Sequence, residues 1–323
     1  MTRINVRAPS RLHFGLLAWN PESARQFGGV GLMIDAPGLE LSGQPAALWQ
    51  AEGPLARRTL QAADRIAAKL AQAGTPTPSI RFEIHHAAPE HVGLGAGTQL
   101  GLAVARILTE LAGCPDTPVE KLAELAERGL RSGIGLHGFA HGGLLVDGGR
   151  LNHAHGGLPP LLARQPFPPE WAVLVVLPRA EPGLHGSSEV QAFAQLPPIA
   201  DSITDRLCRL VLLGLLPAVA ERDLDQFGSS LTELQHLVGQ CFAPAQGGAY
   251  AHAELEPIVA QLKAEGLHGV GQSSWGPSLY GFSADSLEIR MKILHRTCEK
   301  FGLGPDAAFW TVASQTGATI TKV

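Results

Sequence analysis

Four cysteines, no basic cluster and no long apolar run are what this 323-residue sequence brings to functional classes that need more of each. Cys114, Cys208, Cys241 and Cys298 stand far apart without a Cys-x-x-Cys pair. This excludes a disulfide framework or cysteine zinc site and suits reduced thiols in a cytoplasmic protein, so they read as small buried apolar residues. The 25 Lys and Arg are scattered against 29 Asp and Glu, a formal charge of −4, so no stripe is visible that would track a nucleic-acid backbone. The greasiest segment, 207–220, contains Arg209 and Pro217 and falls short of the ~20 residues that span a bilayer, which makes it a core helix. Residues 1–9 alternate like a strand and lack the continuous apolar core of a signal peptide. Neither nucleic acid nor membrane is therefore an expected partner, and there is no internal repeat or low-complexity tract.

What is present is a large potential core: 45% hydrophobic residues against 17% charged, over a length that suggests two domains. The patterns predict a strand at 3–8, a Gly/Phe-rich stretch at 12–34, a helix near 57–73 and a strand at 80–86, followed by a helix that stops at Gly113. Thr117-Pro118-Val119-Glu120 reads as a capping box with proline at the first helical position, and residues 142–151 as a hairpin turning at Asp147-Gly148. Prolines 159, 160, 166, 168 and 169 mark a linker, giving domains 1–160 and 161–323. The second half reads as α+β: a buried strand at 171–177, helices at 201–216, 221–238, 252–265 and 286–300, and strands at 278–283 and 308–314.

The most informative stretch is Pro89 to Gln99. A strand with Ile80, Phe82 and Ile84 on one face runs through this glycine-rich turn into an apolar helix. Gly93, Gly95 and Gly97 let the backbone approach an anion, and Leu94, Ala96, Thr98 and Gln99 complete a loop whose free amides face a phosphate ester at the positive end of the helix dipole. Arg11 and Arg25 are candidate anion clamps, or else surface ion-pair partners. His13 alternates with Arg11 on the first strand and is either a phosphate contact or a core histidine. Phe27 and Trp275 are candidate walls for an aromatic ring, or plain packing. Ser273, Ser274, Trp275 and Gly276 form a third glycine-bearing turn, and 179–188 a polar loop suited to ligand contacts. His137 with His141, and His153 with His155, suggest metal spacing. Glycines around the first pair argue against the helix that would align it, and no third ligand is obvious.

Three motifs occur in order, Ala8-Pro9-Ser10-Arg11-Leu12-His13-Phe14-Gly15, then the glycine loop, then Gly269 to Pro277. They resemble the galactokinase, homoserine kinase, mevalonate kinase and phosphomevalonate kinase (GHMP) superfamily over nearly the whole chain. The resemblance implies an α+β, GHMP-kinase-like two-domain fold: a domain like the second domain of ribosomal protein S5, then a ferredoxin-like domain, with ligand between them. The chain departs from these kinases where they carry Gly-Glu-His and Ser-Gly-x-Asp. Here stand Gly15-Leu16-Leu17-Ala18 and Ser132-Gly133-Ile134-Gly135.

Within the superfamily, Ser10 to Leu17, Arg25 to Ile34 and His91 to Leu100 resemble the β-ribofuranosylaminobenzene 5′-phosphate synthase family. That resemblance implies a decarboxylating ribosyltransferase joining phosphoribosyl pyrophosphate to a small aromatic acid, 4-aminobenzoate or 4-hydroxybenzoate, toward a methanopterin-type carrier. It also implies a homodimer; Mg²⁺ is expected with the pyrophosphate charge, and Arg25 and His13 are the candidate catalytic residues. The alternatives are an ATP-dependent small-molecule kinase and a catalytically silent ligand-binding protein on the same scaffold. In the ribosyltransferase, the ring carbon bearing the carboxylate attacks and regains aromaticity by losing carbon dioxide, so no strong base is required.

Overall fold

A computed structural model describes residues 2–152, 157–180 and 186–323. Two sheets organise them. The first is built on a long antiparallel pair, β1 (Ile4–Ala18) and β2 (Arg25–Pro45). β2 is long enough to serve several partners: its second half pairs with β4 (Ile80–Ala87), residues 29–32 with β5 (Leu144–Asp147), and Arg25 and Gln26 with β6 (Arg150–Leu151). β3 (Gln50–Glu52) runs parallel to β4 at one edge. β7 (Leu161–Gln165) pairs with β5, and β12 (Thr319–Lys322) with β1. Both of these segments lie beyond residue 160, so the sheet draws on either side of the division expected from the prolines, and residues within that expected linker form a strand.

Helices α1 (Ala56–Gln72), α2 (Ala96–Leu111), α3 (Val119–Ala126) and α4 (Ile134–His141) cover one face of this sheet. The strand pattern that places Ile80, Phe82 and Ile84 inward meets the buried stripe of α2, including Leu100, Ala103, Val104 and Ile107. The second sheet has the antiparallel order β11 (Ala308–Thr311), β8 (Ala172–Val176), β10 (Leu279–Ser283), β9 (His268–Gln272), which is the ferredoxin-like arrangement. Between β8 and β9 run α5 (Gly186–Gln195), α6 (Asp201–Leu210), α7 (Leu216–Glu221), α8 (Leu224–Gln246) and α9 (Leu255–Ala264), and α10 (Leu287–Phe301) precedes β11. One continuous core joins the halves: Phe14 of β1 lies 5.2 Å from Tyr280 and 6.2 Å from Phe282, ring centre to ring centre. The middle of β1 is thereby held between the two sheets. Among the described residues no helix is long and apolar enough to cross a membrane.

Several local expectations are corrected. Asp147 does not turn a hairpin, because β5 and β6 both pair with β2 and not with each other. Thr117 does not cap α3; its hydroxyl donates back to the Cys114 carbonyl at 2.7 Å, and Pro118 is the capping residue. Segment 207–220 is not one regular helix. Pro217 has no N–H to continue the ladder, and residues 211–215 open into a π turn that leaves Leu212 and Leu213 exposed. The cysteines are not core residues: Cys114 and Cys208 are exposed, Cys241 and Cys298 half-buried, and all four are free thiols.

The largest correction is α4, a helix through Ile134-Gly135-Leu136-His137-Gly138-Phe139-Ala140-His141. Its glycines are contact points. A Cβ on Gly138 would lie 2.1 Å from the Met33 sulfur, and one on Gly135 would lie 2.9 Å from the Thr98 side chain. Close packing against β2 and α2 therefore outweighs the low helix propensity of glycine.

Candidate active site at the junction of two cavities

The glycine loop enters α2 in the conformation its glycines permit. Gly93 and Gly95 have φ of 95° and 75°, and Gly95 caps the helix without a side chain. A Cβ on Gly93 would lie 2.3 Å from the Ser273 carbonyl oxygen, and one on Gly95 would lie 2.6 Å from Arg11 Cγ, so the first and third motifs close on the loop from two sides. The N–H groups of Thr98 and Gln99 donate to the Gly95 carbonyl at 3.0 and 3.1 Å. Those of Ala96 and Gly97 have no acceptor within the helix and sit at its positive end. Leu94 is buried and contributes only backbone, its carbonyl accepting from Arg11 N–H at 3.0 Å. Gln99 is turned inward, Nε2 donating to the Gly135 carbonyl at 2.9 Å, so it ties α2 to α4.

The third motif stitches this loop to β1. Ser273 Oγ accepts from His13 N–H at 3.0 Å and donates to the Gly93 carbonyl at 2.7 Å, while Ser274 N–H donates to the His13 carbonyl at 3.1 Å. A Cβ on Gly276 would overlap the Val92 backbone at 2.1 Å. Trp275 packs edge-to-face on Phe242 and Phe193, at 4.9 and 5.5 Å between ring centres. Phe27 stands behind this group, against Trp19 at 5.5 Å and Phe193 at 6.1 Å, and lines neither cavity.

Two cavities meet here. One, about 320 Å³, has aromatic walls from Phe193, Phe242 and Trp275, with His13, Ser132 and Gln235 among its polar lining. The other, about 920 Å³, opens over the glycine loop and gathers Arg11, Arg57, Arg58, Arg65, Arg128 and Arg131. Arg11, Thr98, Arg128, Arg131, Ser274 and Trp275 line both and form the junction. The carboxylate of Glu90, in the wall of the arginine cavity, is paired with Arg58. Burial first, and then repulsion among Arg58, Arg65 and Arg128, lower the pKa of the Arg58 and Arg128 guanidinia from the ordinary arginine value, as expected where cations converge.

This basin corrects the impression of scattered basic residues. Arg58 and Arg65 are seven apart on one face of α1, and Arg128 and Arg131 follow α3, so only the packing of α1, α2 and α3 brings them to Arg11. The spacing within α1 was the available signal. Arg25 behaves otherwise: exposed, its Nη1 donates to the carbonyls of Gly148 and Gly149 at 3.1 and 2.9 Å, and it lines neither cavity.

Behind the aromatic cavity lies a carboxylate that the sequence pattern had assigned to a turn. Asp147 is fully buried; Oδ2 accepts from Gly133 N–H at 2.8 Å and Ser132 Oγ at 3.0 Å, and Oδ1 from Gly149 N–H at 2.9 Å. Burial raises its pKa from the ordinary value, and the Gly149, Gly133 and Ser132 hydrogen bonds oppose that shift. Ser132 Oγ also stands 3.0 Å from His13 Nε2 and accepts from Ile134 N–H at 3.2 Å. A serine hydroxyl has one proton, here directed at Asp147, so His13 must be the donor through Nε2–H. Burial, and then the Arg11 charge, hold the His13 pKa well below 6.5.

His137 and His141 lie on α4, but His137 Nε2 is spent on the Pro159 carbonyl at 2.8 Å. His153 and His155 lie outside the described residues, as does 181–185 of the 179–188 loop. Among the described residues no group of three or more His, Cys, Asp and Glu is placed to hold a metal.

Comparison with known proteins gives a consistent result. Residues 57–143 match the family described as GHMP kinases N terminal domain, and 215–320 match GHMP kinases C terminal. A protein of Methanothermobacter thermautotrophicus named beta-ribofuranosylphenol 5′-phosphate synthase is 32% identical over 302 residues, 85% of this chain and 87% of that one. Its namesake from Archaeoglobus fulgidus is 34% identical over 293 residues, 87% and 88% of the two chains. Homoserine kinase from Cytophaga hutchinsonii superposes with a TM-score of 0.68 at 20% identity, covering 99% of this chain and 97% of that one. Mevalonate diphosphate decarboxylase from Staphylococcus aureus gives 0.64 at 12%, covering 99% and 98%. At such identities these two solved structures speak for the fold alone.

Proposed function

Since the chain belongs to the beta-ribofuranosylphenol 5′-phosphate synthase family, within the GHMP kinase fold, we propose that it joins phosphoribosyl pyrophosphate to a para-substituted benzoate with loss of carbon dioxide. The observation that carries this reading is the shared wall between an arginine-lined cavity and an aromatic-lined one. A polyphosphorylated sugar and a flat aromatic acid need those two environments side by side. The phenol in the relatives' name favours 4-hydroxybenzoate as acceptor, with 4-aminobenzoate as the second candidate.

The chemistry follows from charge. Breaking the bond from the anomeric carbon to pyrophosphate sends the electron pair to the leaving group and leaves positive charge on the ribose. Guanidinia and the free amides of Ala96 and Gly97 stabilise the departing anion. The ring carbon bearing the carboxylate attacks from the aromatic cavity; the carbon–carboxylate bond then breaks, its electrons restore the ring, and carbon dioxide leaves. Mg²⁺, when bound with pyrophosphate, supplies further neutralisation of its charge. Among the described residues none forms a cation cage, because Glu90 is paired with Arg58 and the arginine cavity is otherwise rich in cations, so Mg²⁺ would have to arrive with the pyrophosphate. A homodimer forms part of the same reading.

Incubation with phosphoribosyl pyrophosphate and carboxyl-labelled 4-hydroxybenzoate or 4-aminobenzoate should release labelled carbon dioxide and pyrophosphate in equal amounts. Release of neither from both acids would overturn the proposal, and a product that keeps its carboxylate would overturn the decarboxylative step.

A further inference from the structure

The two cavities also say which way round the acceptor sits, on the reading proposed above. Its reacting carbon must lie at the junction, next to the sugar and within reach of Arg11 and Arg131, and its para substituent points across the ring, away from the phosphates. His13 and Ser132 line the aromatic cavity and not the arginine cavity, so they belong to the environment that would take the aromatic acid. His13 Nε2 is committed as donor to Ser132, which is committed to Asp147, so the remaining ring nitrogen, Nδ1, carries the lone pair of a neutral imidazole. Gly29 closes the back of this chain of groups: a Cβ there would lie 2.8 Å from Asp147 Oδ2, 3.0 Å from Ser132 Oγ and 3.2 Å from His13 Nε2.

We propose that His13 takes the hydroxyl proton of a phenolic acceptor through Nδ1, and that Ser132 and Asp147 are positioning residues that fix the imidazole in the tautomer able to do so. As the ring carbon forms its bond to the anomeric carbon and pyrophosphate leaves with the electron pair, the phenolic O–H proton passes to Nδ1 and the ring becomes a neutral dienone. Loss of carbon dioxide returns an electron pair to the ring as phenolate, which recovers the proton from His13. The cycle is closed, and neither oxidant nor reductant enters. An amine acceptor needs no such step, since nitrogen donates its lone pair while keeping both protons. The site then separates the two acids by proton transfer, not by fit alone.

Among the described residues, the charged and titratable groups near His13 are Arg11 on its own strand, Glu127, Arg128 and Arg131 in the lining of the same cavity, Asp147 behind Ser132, and His137 on α4, which acts on Asp147. Glu127 is not a competing base, because its ion pair with Lys69 lowers its pKa.

The test compares Asp147→Asn and Ser132→Ala with the unaltered protein, measuring kcat and KM for both acids from pH 5 to 8, with melting curves alongside. The expected result is a ten- to hundredfold fall in the ratio of kcat on 4-hydroxybenzoate to kcat on 4-aminobenzoate, KM changing much less, and a displaced acidic limb for the phenolic acid alone. Equal losses on both acids, or an unchanged ratio, would overturn the relay while leaving the ribosyltransferase reading intact. If the unaltered protein releases carbon dioxide from neither acid, both fall. Should Asp147→Asn not fold, Ser132→Ala alone decides.

Discussion

Gly95 combines a left-handed backbone with a contact that leaves no room for a side chain. In Gly95→Val, the strained φ of a β-branched residue costs about 1–3 kcal/mol, and the new Cβ displaces Arg11. Titration calorimetry should record at least a tenfold loss of phosphoribosyl pyrophosphate affinity in a variant that still melts cooperatively; unchanged affinity in the folded variant would refute the phosphate-loop assignment. Arg25→Ala should do the reverse. With its guanidinium spent on two carbonyls outside the cavities, kcat/KM should stay within about threefold of the original, since exposed polar contacts of this kind contribute ~1 kcal/mol to folding and none to the transition state. A hundredfold loss would place Arg25 in the reaction after all. Gly93, Gly95 and Trp275 announce themselves because glycine spacing and turn chemistry are local. Arg58, Arg65, Arg128 and Asp147 do not, because their meaning arises only when segments far from Arg11 or His13 in sequence fold against one another or, for Asp147, when a turn-forming residue type is pulled inside by three hydrogen bonds.

At the scale of elements, patterns with a clean period were legible: β4, α1, α2, α10, β8, β10 and β11 lie within a few residues of where apolar spacing puts them, whereas β9 falls in the stretch read as a glycine-bearing turn. α4 was not, since two glycines in eight residues contradict helix propensity and only their neighbours explain them. The explanation is testable. Gly138→Ala improves intrinsic helix propensity by about 1 kcal/mol, yet the added methyl meets Met33 at 2.1 Å, so overpacking should win and the protein lose about 1–3 kcal/mol in a urea titration. A stabilised variant would mean that Met33 swings aside freely. Met33→Ala combined with Gly138→Ala should cost less than the sum of the two single losses, because two residues in contact do not act additively and the added methyl fills part of the space that buried Met33 leaves.

At the scale of the whole molecule, the same scaffold serves kinases, so the absence of a kinase carboxylate between Arg131 and Gly143 carries a prediction of its own. ADP formation with galactose, homoserine, mevalonate or phosphomevalonate should stay at background, and robust turnover of any of them would reopen the kinase alternative. The order of motifs made the two-domain fold legible in one dimension, but the division of labour between the cavities was not, since it depends on β1 passing between the sheets and presenting Arg11 to the junction and His13 to the aromatic side. The arginine basin has a kinetic consequence as well. Six guanidinia around one concavity focus a field that speeds the arrival of a polyanion, an advantage that fades as added salt shortens the Debye length to about 10 Å at 0.1 M. On the proposed reaction that field would act equally on pyrophosphate after the bond has broken, so the by-product would escape against the attraction that drew the substrate in, and departure would limit turnover where capture is fastest.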